Sequence, residues 1–201
     1  MTFGSKETRR KRLAELLIEK SYREGDFTLT SGRKSDYYFD CKQTALHPEG
    51  GYLLGKLLLA EALAFGESIH GVGGMTLGAD PLVTSVSVLS YADVLAGRVN
   101  ARPLPAFIVR KKPKGHGTDQ YLEGLANFPA GARVVMLEDV VTTGGTLLTA
   151  CERVAAAGLR VAGIVCVLDR QEGGAEAISK AGYRLVSLFT RSSLLEAAGR
   201  R

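Results

Sequence analysis

Tryptophan is absent from this chain of 201 residues, and cysteine and histidine occur only three times each. The cysteines, Cys41, Cys151 and Cys166, are odd in number, widely separated and never paired as C-x-x-C. Their distribution argues against a disulfide scaffold and indicates buried thiols in a reducing compartment, so a cytoplasmic location is expected. The histidines are equally scattered, at positions 47, 70 and 116, which argues against a zinc site.

Long apolar runs are missing as well. A membrane-spanning helix needs about 20 consecutive apolar residues, whereas the leucine-rich stretches here are interrupted by Lys56 and Glu61. The N-terminal segment also has no apolar core of the kind that signal peptides carry. With 45% hydrophobic and 23% charged residues, the sequence predicts a single domain over residues 1–201 and no membrane partner.

Two common nucleotide-binding motifs do not occur either. Gly71 and Gly73 are followed by Thr76, which breaks the pattern G-x-G-x-x-G, and there is no G-x-x-x-x-G-K-[ST]. The sequence therefore gives little support to a dinucleotide-dependent dehydrogenase or a P-loop NTPase. The net charge of +5 suits an anionic partner, which is either nucleic acid or a phosphorylated small molecule.

Among the features that are present, the stretch Val134–Thr146 is the most informative. Four apolar residues lead into the adjacent acids Glu138 and Asp139, and a loop rich in threonine and glycine follows. The next residues, 147–157, have the pattern of a helix, and residues 161–168 form an apolar run of strand length. This strand–loop–helix–strand order predicts two parallel strands joined by a right-handed crossover.

The loop has the composition of a phosphate site at a helix N-terminus, where free backbone N–H groups and the helix dipole attract anions. Gly144 and Gly145 let the backbone approach a phosphate closely. Glu138 and Asp139 would repel an anion, so we expect them to accept hydrogen bonds from sugar hydroxyls or to face a metal. An ordinary turn capped by one threonine is the alternative, but it would leave two of the three hydroxyls without a role. These hydroxyls belong to Thr142, Thr143 and Thr146.

The remaining segments continue the alternation of helices and strands. Helical spacing of apolar residues predicts helices, and short apolar or aromatic runs predict strands. The pattern indicates an α/β fold with an open parallel sheet flanked by helices. The predicted helices cover residues 8–20, 48–65, 81–96, 176–181 and 192–198. The predicted additional strands cover residues 27–30, 37–39, 68–74, 105–109 and 183–188.

Charged segments follow two of the predicted strands. Residues 110–120 hold five basic groups and no apolar residue, so they are expected to form a mobile loop, either a solubilising surface loop or a lid over a polyanion. The position at a strand's end favours the lid. Arg170, at the end of another strand, could donate two parallel hydrogen bonds to a carboxylate, although Asp169-Arg170 is also a common surface pair. The basic run Arg9–Arg12 is expected to be a solvated helix face.

In this order, the segments resemble the type I phosphoribosyltransferases over nearly the entire length, and within that family the enzymes that act on orotate. Residues 138–146, with the sequence EDVVTTGGT, match the family's motif for phosphoribosyl pyrophosphate (PRPP). The resemblance to the orotate enzymes depends on three further matches. These are residues 27–35 (FTLTSGRKS), the loop residues Arg110, Lys111, Lys114 and His116, and residues 169–172 (DRQE).

The resemblance implies transfer of a phosphoribosyl group from PRPP to N1 of orotate, giving orotidine 5′-monophosphate and pyrophosphate. Mg²⁺ would be the cofactor, held mainly by PRPP and water. A small hood would be formed by about residues 1–45 and the C-terminal end. In this family the mobile loop reaches into the neighbouring subunit's site, which implies a homodimer. Nucleic acid is not expected as a partner.

The resemblance also assigns roles by position. Glu138 and Asp139 would hold the ribose 2′- and 3′-hydroxyls, residues 142–146 would hold the 5′-phosphate, and Thr142 would also touch orotate. The further orotate contacts would be Arg170, Tyr38 and Phe39. The catalytic residues would be Lys111, Lys114, His116 and Asp139. The PRPP-binding set would be Arg110, Lys111, Lys114, His116, Glu138, Asp139, Val140, Val141, Thr142, Thr143, Gly144, Gly145 and Thr146.

Two positions depart from the family pattern. Thr30 and the pair Thr76-Leu77 stand where some members have a lysine and a Tyr-Lys pair, so two cationic contacts to PRPP are missing; Arg33 or Lys34 could substitute. Two other functions stay open, a transferase for a purine or another base and a PRPP-sensing nucleic-acid-binding regulator without catalysis. The segment 169–171 and the lysine-rich loop argue against the first. No DNA-binding domain is expected beside the transferase domain, which argues against the second.

Overall fold

The structure, a computed structural model, describes residues 4–28, 32, 34–113 and 120–199. The strands in chain order are β1 (Tyr22–Thr28), β2 (Lys34–Phe39), β3 (Ile69–Met75), β4 (Ala106–Val109), β5 (Leu122–Glu123), β6 (Arg133–Val141), β7 (Arg160–Asp169) and β8 (Leu185–Thr190). The helices are α1 (Lys6–Lys20), α2 (Lys42–Ala45), α3 (Pro48–Leu63), α4 (Asp80–Leu95), α5 (Gly145–Ala156), α6 (Gly174–Lys180) and α7 (Arg191–Ala197), with a 3₁₀ turn at Leu125–Asn127.

Six of these strands form one sheet in the spatial order β5-β4-β3-β6-β7-β8. β3, β4, β6, β7 and β8 pair in parallel, and the short β5 adds an antiparallel edge to β4. Residues of α1, α3 and α4 pack on one face of the sheet, and residues of α5 and α6 pack on the other. The predicted α/β fold, a parallel sheet flanked by helices, is confirmed.

The central strand β6 is buried on both faces because successive side chains of a strand point to opposite sides. Val135 and Leu137 join the core that α1, α3 and α4 cover. Val134 and Met136 join the core that α5 and α6 cover. Since β3 and β7 occupy both edges of β6, the apolar run that leads into Glu138 is enclosed from every direction.

β1 and β2 form a separate antiparallel pair at the N-terminal side of the chain. In β2 the side chains alternate, so that Tyr37 and Phe39 are buried whereas Tyr38 is 44% exposed. α1 contacts β1 and also the last helix, α7. The pair occupies the segment predicted to form the hood, and the boundary of that hood near residue 45 stays a prediction.

Several element boundaries differ from the sequence expectations. α1 begins at Lys6 rather than at Thr8, because the Ser5 hydroxyl caps the helix by accepting the Thr8 N–H at 3.1 Å. β6 continues as far as Val141, which pairs with Asp169 of β7. The acids Glu138 and Asp139, expected at the end of the strand, therefore lie inside it. The short elements α2, β5 and the 3₁₀ turn had no signal in the sequence pattern.

The three cysteines belong to the packed interior of the protein. All three thiols are free and buried. Burial raises the pKa of Cys151 to about 12, so this thiol is a packing group and not a nucleophile. Among the helices in the described ranges, none combines the length and the apolar character needed to cross a membrane.

Gly73 marks a close approach between β3 and β4, since a Cβ at this position would lie 2.0 Å from a ring carbon of Phe107. We expect Gly73→Ala to lower the free energy of unfolding by about 1–3 kcal/mol, because the ring and its strand must shift. Urea unfolding followed by circular dichroism measures the change. Gly4→Ala is the matched control, since a Cβ there meets no atom within 4 Å. Equal stability of the two variants would contradict the expected overpacking.

Candidate active site

The residues singled out in the sequence meet at the carboxyl-terminal edge of the parallel strands, where open α/β sheets place their ligands. Residues 138–141 form the end of β6 and residues 142–144 lead into α5, while Arg170 follows β7 and donates its N–H to the Val141 carbonyl at 3.0 Å. The loop after β3 is attached to the end of β4, because the Thr76 N–H donates to the Val109 carbonyl at 3.0 Å. Parallel pairing therefore brings four separate segments of the chain to one edge.

Residues 142–146, the loop that the sequence predicts to hold a phosphate, are called the phosphate loop. Together with Glu138, Val140, Val141 and Leu147 they line a cavity of about 200 Å³. Gly144 is the N-cap of α5 with φ at 80°, in the left-handed region that glycine adopts without strain. A Cβ on Gly145 would meet nothing within 4 Å, so the backbone here faces open space. Within the described residues, no hydrogen bond engages the hydroxyls of Thr142, Thr143 and Thr146. Among the described residues, the turn thus presents N–H and O–H donors without partners to the cavity, and binding of a phosphate here stays a prediction.

Glu138 and Asp139, the acidic pair, differ in their surroundings. One oxygen of Glu138 is shielded from solvent, and the Asp139 carboxylate accepts a backbone hydrogen bond. Glu138 Oε2 is buried and has no hydrogen-bond partner in the part of the chain that the structure describes. Burial, together with the neighbouring Asp139, raises the pKa of Glu138 well above its usual range. Asp139 Oδ1 accepts the Val140 N–H at 2.9 Å. A buried acceptor without a partner is a feature of a site prepared for a ligand's donor.

The loop after β3 lies directly against Asp139. A Cβ on Gly78 would be 2.5 Å from Asp139 Oδ2, so only glycine fits this approach without a shift. In the same loop the Thr76 hydroxyl donates to Asp80 Oδ2 at 2.8 Å, and the Thr76–Leu77 peptide is cis. Leu77, one of the two positions that depart from the family pattern in the sequence analysis, is 68% exposed. The glycine thus allows this loop to lie directly beside the Asp139 carboxylate.

Arg110, at the start of the predicted lid, is fixed by hydrogen bonds and an ion pair. The Arg110 N–H donates to the Tyr121 carbonyl at 2.7 Å, and the Arg110 guanidinium pairs with Glu123 at 3.0 Å. Arg153 of α5 donates to the Arg110 carbonyl at 2.9 Å and lies 4.1 Å from the Tyr121 ring centroid. Lys111 is exposed at the start of the loop, beside a cavity of about 460 Å³ that Arg110 also lines. Lys114 and His116 lie outside the described residues, as does Thr30.

Arg170 is more enclosed than its position at a strand end suggested, with only 7% of its surface exposed. Its Nε donates to Glu172 at 2.7 Å, its Nη2 donates to Ser35 at 3.0 Å, and the guanidinium lies 4.2 Å from the Tyr37 ring centroid. Tyr38 is exposed and lies 5.6 Å from the Phe27 ring. The Phe39 side chain packs in the core, so only its backbone remains available to a ligand.

Several contributors were missed in the sequence. Ser35 and Tyr37 belong to stretches that were noted, but nothing in the sequence linked them to Arg170. Arg153 and Gly78 carried no signal at all. Larger cavities exist, with volumes of about 610 Å³ beside α3 and α4 and about 500 Å³ beside Tyr121. We place the site at the smaller cavity because residues 138–146, with their free donors and carboxylates, line neither of the larger ones.

Comparison with known proteins agrees with this geometry. The Phosphoribosyl transferase domain family matches residues 87–187, half of the chain, and the fold with its phosphate loop defines a phosphoribosyltransferase. An orotate phosphoribosyltransferase of Thermosynechococcus vestitus is 50% identical over 92% of this chain and 92% of its own length. One of Nostoc sp. is 46% identical over 91% of this chain and 84% of its own length. The chain belongs to the orotate phosphoribosyltransferase family.

Solved structures give the same result. An orotate phosphoribosyltransferase of Mycobacterium tuberculosis superposes with a TM-score of 0.76 at 38% identity, covering 92% of this chain and 98% of its own. Another structure of that protein, in complex with PRPP, superposes with a TM-score of 0.72 at 35% identity over the same shares of the two chains. An adenine phosphoribosyltransferase of Leishmania donovani, at 19% identity and a TM-score of 0.65, shares the fold.

The raised pKa of Glu138 predicts how stability changes with pH. The folded protein holds this proton more tightly than the unfolded chain, so ionisation costs stability as pH rises above the ordinary value of 4.5. Glu138→Gln cannot ionise, and we expect its free energy of unfolding, relative to the natural chain, to increase with rising pH. Urea unfolding at a series of pH values measures this gap.

Glu24→Gln is the control for this experiment, because Glu24 is an exposed glutamate in β1. We expect its difference from the natural chain to change little with pH. If the difference in free energy of unfolding between Glu138→Gln and the natural chain also stays constant with pH, burial does not hinder ionisation of Glu138.

Proposed function

We propose that this site transfers the phosphoribosyl group of PRPP to N1 of orotate, releasing pyrophosphate and giving orotidine 5′-monophosphate in pyrimidine biosynthesis. One observation carries the proposal. A turn with free N–H and O–H donors, a carboxylate pair and a buried arginine lie at one edge of the parallel sheet. Membership of the orotate phosphoribosyltransferase family supports this assignment.

The donor's phosphate and sugar would occupy the stretch from Glu138 to Thr146. The N-terminus of α5 supplies backbone donors and a positive dipole end for the 5′-phosphate, and the threonine hydroxyls add further donors. Glu138 and Asp139 would accept hydrogen bonds from the 2′- and 3′-hydroxyls of ribose. Glu138 Oε2 suits this role, because a hydroxyl donor would satisfy an acceptor that has no partner among the described residues.

The leaving group would be stabilised by the cationic base of the lid. In the displacement, the bond from the anomeric carbon to pyrophosphate breaks with its electron pair on oxygen, the bond to N1 of orotate forms, and the N1 proton passes to solvent. Arg110 and Lys111 stand at the edge where this charge would develop, and Lys114 and His116 are proposed to join them. Fixed cations of this kind stabilise a transition state in which negative charge is accumulating.

Mg²⁺ is part of the proposal and would be held mainly by PRPP and water. The donor set fits, because Mg²⁺ in phosphate-transferring sites uses one or two carboxylates together with substrate oxygens. Asp139 and the unpartnered oxygen of Glu138 provide such carboxylates, and the described residues contain no cluster of three or more metal-binding side chains. When bound, the ion would offset the charge of the pyrophosphate.

The acceptor would lie between the end of β7 and the strand β2. Arg170 is the cation for the orotate carboxylate; in the described part of the chain its Nε and Nη2 are engaged and no hydrogen bond uses Nη1. Thr142 is half-buried beside it, and Tyr38 is exposed on β2. Phe39 would contribute only through its backbone, because its side chain is in the core.

The assay that tests the proposed function supplies the purified chain with PRPP and a panel of bases. We expect loss of the ultraviolet absorbance of orotate and release of pyrophosphate only when PRPP and Mg²⁺ are both present. Adenine, guanine and uracil are expected to give no pyrophosphate, because each lacks the carboxylate that Arg170 would bind. Consumption of a purine but not of orotate would overturn the substrate assignment.

A homodimer is also proposed, and an exposed apolar face supports it. Val88, Tyr91 and Leu95 lie on one side of α4 and are 63%, 54% and 73% exposed. Leu46, at 74% exposure, and Tyr52, at 40%, extend this α3–α4 face across a cavity of about 610 Å³. Contiguous exposed apolar residues of this kind mark interaction surfaces. A cytoplasmic location is proposed as well, on the basis of the three free thiols.

Mass measurement in solution tests the dimer. We expect the natural chain to have about twice the mass of its 21.5 kDa monomer. Val88→Glu would place a charge in the α3–α4 face and shift the population to monomers, because an unpaired buried charge is costly. Val99→Glu is the control, since Val99 is 90% exposed and does not line that cavity. A monomeric natural chain would refute the proposal.

A further inference from the structure

The network around Tyr37 contains a second arginine that has no assigned role. Arg191, the first residue of α7, lies with its guanidinium carbon 4.2 Å from the Tyr37 ring centroid. Arg170 lies at the same distance from the same centroid. Two cations therefore contact one buried aromatic ring, and one of them is the arginine proposed to bind the base.

Arg191 is held at this position by a carboxylate of β2. Its Nη2 donates to Asp36 Oδ2 at 2.5 Å. The Arg191 guanidinium lowers the pKa of Asp36, as expected for a formed ion pair. A cation at a helix N-terminus is disfavoured by the helix dipole, so α7 does not stabilise Arg191 at this place. Asp36 and the Tyr37 ring stabilise Arg191 at this position instead.

The Tyr37 ring is placed for stacking and not for hydrogen bonding. Its hydroxyl is buried without a partner in the described part of the chain, and burial raises its pKa. The Tyr22 ring stacks on it at 5.3 Å with an interplanar angle of 23°. With its neighbours Tyr22 and Arg191 in place, the ring is a fixed surface for the Arg170 guanidinium, which can stack flat on an aromatic face.

We propose that Arg191 is a positioning residue for the acceptor base: with Asp36 it fixes the Tyr37 ring and through that ring the orientation of Arg170. The proposal rests on the proposed function, because Arg170 matters only if it binds the orotate carboxylate. The expected consequence is selective. Loss of Arg191 weakens binding of orotate and leaves binding of PRPP unchanged. In the described residues, only the backbone bond from the Arg170 N–H to the Val141 carbonyl joins this network to the stretch 138–146, and that bond does not involve the guanidinium that Tyr37 and Arg191 orient.

Steady-state kinetics with both substrates varied tests this proposal on the full-length chain. Arg191→Ala is expected to raise KM for orotate about 2- to 30-fold, the range that corresponds to a cation–π contact, with KM for PRPP and kcat unchanged. Arg191→Lys keeps the charge but loses the planar group, so its KM for orotate should lie between those of the natural chain and of Arg191→Ala. Asp36→Asn should raise KM in the same direction.

Arg184→Ala is the matched control, because it removes a similar contact: the Arg184 guanidinium lies 5.2 Å from the Phe65 ring centroid. Arg184 precedes β8, whereas Arg191 follows the other end of that strand. It is expected to leave both KM values unchanged. Asp36 is 69% exposed as a side chain, so Asp36→Asn decides the question if Arg191→Ala does not fold. The proposal is overturned if folded Arg191→Ala and Asp36→Asn keep the natural KM for orotate, if both KM values rise together, or if lysine restores KM completely.

The outcome also separates this proposal from the proposed function. A natural chain that does not consume orotate would refute the function itself. A natural chain that consumes orotate, with an unchanged KM in the variants, would refute only the role of Arg191.

Discussion

The burial of β6 between β3 and β7 is the constraint on which the rest of the structure depends. Val134 to Leu137 have no exposed face, so this strand can occupy only the centre of the sheet. The residues after Leu137 then lie beside the ends of β3 and β7, and not at an outer edge of the sheet. A carboxylate pair, a glycine turn and the helix α5 consequently share one edge with the loop after β3 and with Arg170.

That arrangement makes the polar chemistry of the site dependent on an apolar core. Glu138 lies within the strand and is shielded from water, which raises its pKa and leaves one oxygen without a partner in the described residues. A shielded acceptor is costly in the empty protein and favourable once a ligand donates to it. The site therefore carries a local cost that a ligand's donor would relieve, as is common for functional sites.

The sequence was sufficient for features that are local. The run from Val134 to Thr146 combines a strand, a turn and a helix start within a few residues, so its structure could be inferred from adjacent positions, and the phosphate site is proposed from the same residues. Arg170 was found in the same way, from its place after an apolar strand. Its surroundings could not be found, because Ser35 is 135 residues away in the chain and no periodicity connects distant segments. The approach of Gly78 to Asp139 was equally invisible, since it depends on how two loops pack.

The contact between Asp36 and Arg191 joins residues separated by 155 positions. During synthesis the chain emerges from its N-terminus, and domains fold as their segments become available. The β2 strand leaves the ribosome early, but the groups proposed to orient Arg170 are incomplete until α7 has followed. The phosphate loop and its two flanking strands, β6 and β7, lie within residues 133–169. A growing chain has thus synthesised the proposed donor site before the proposed acceptor site, which is complete only when α7 has been added.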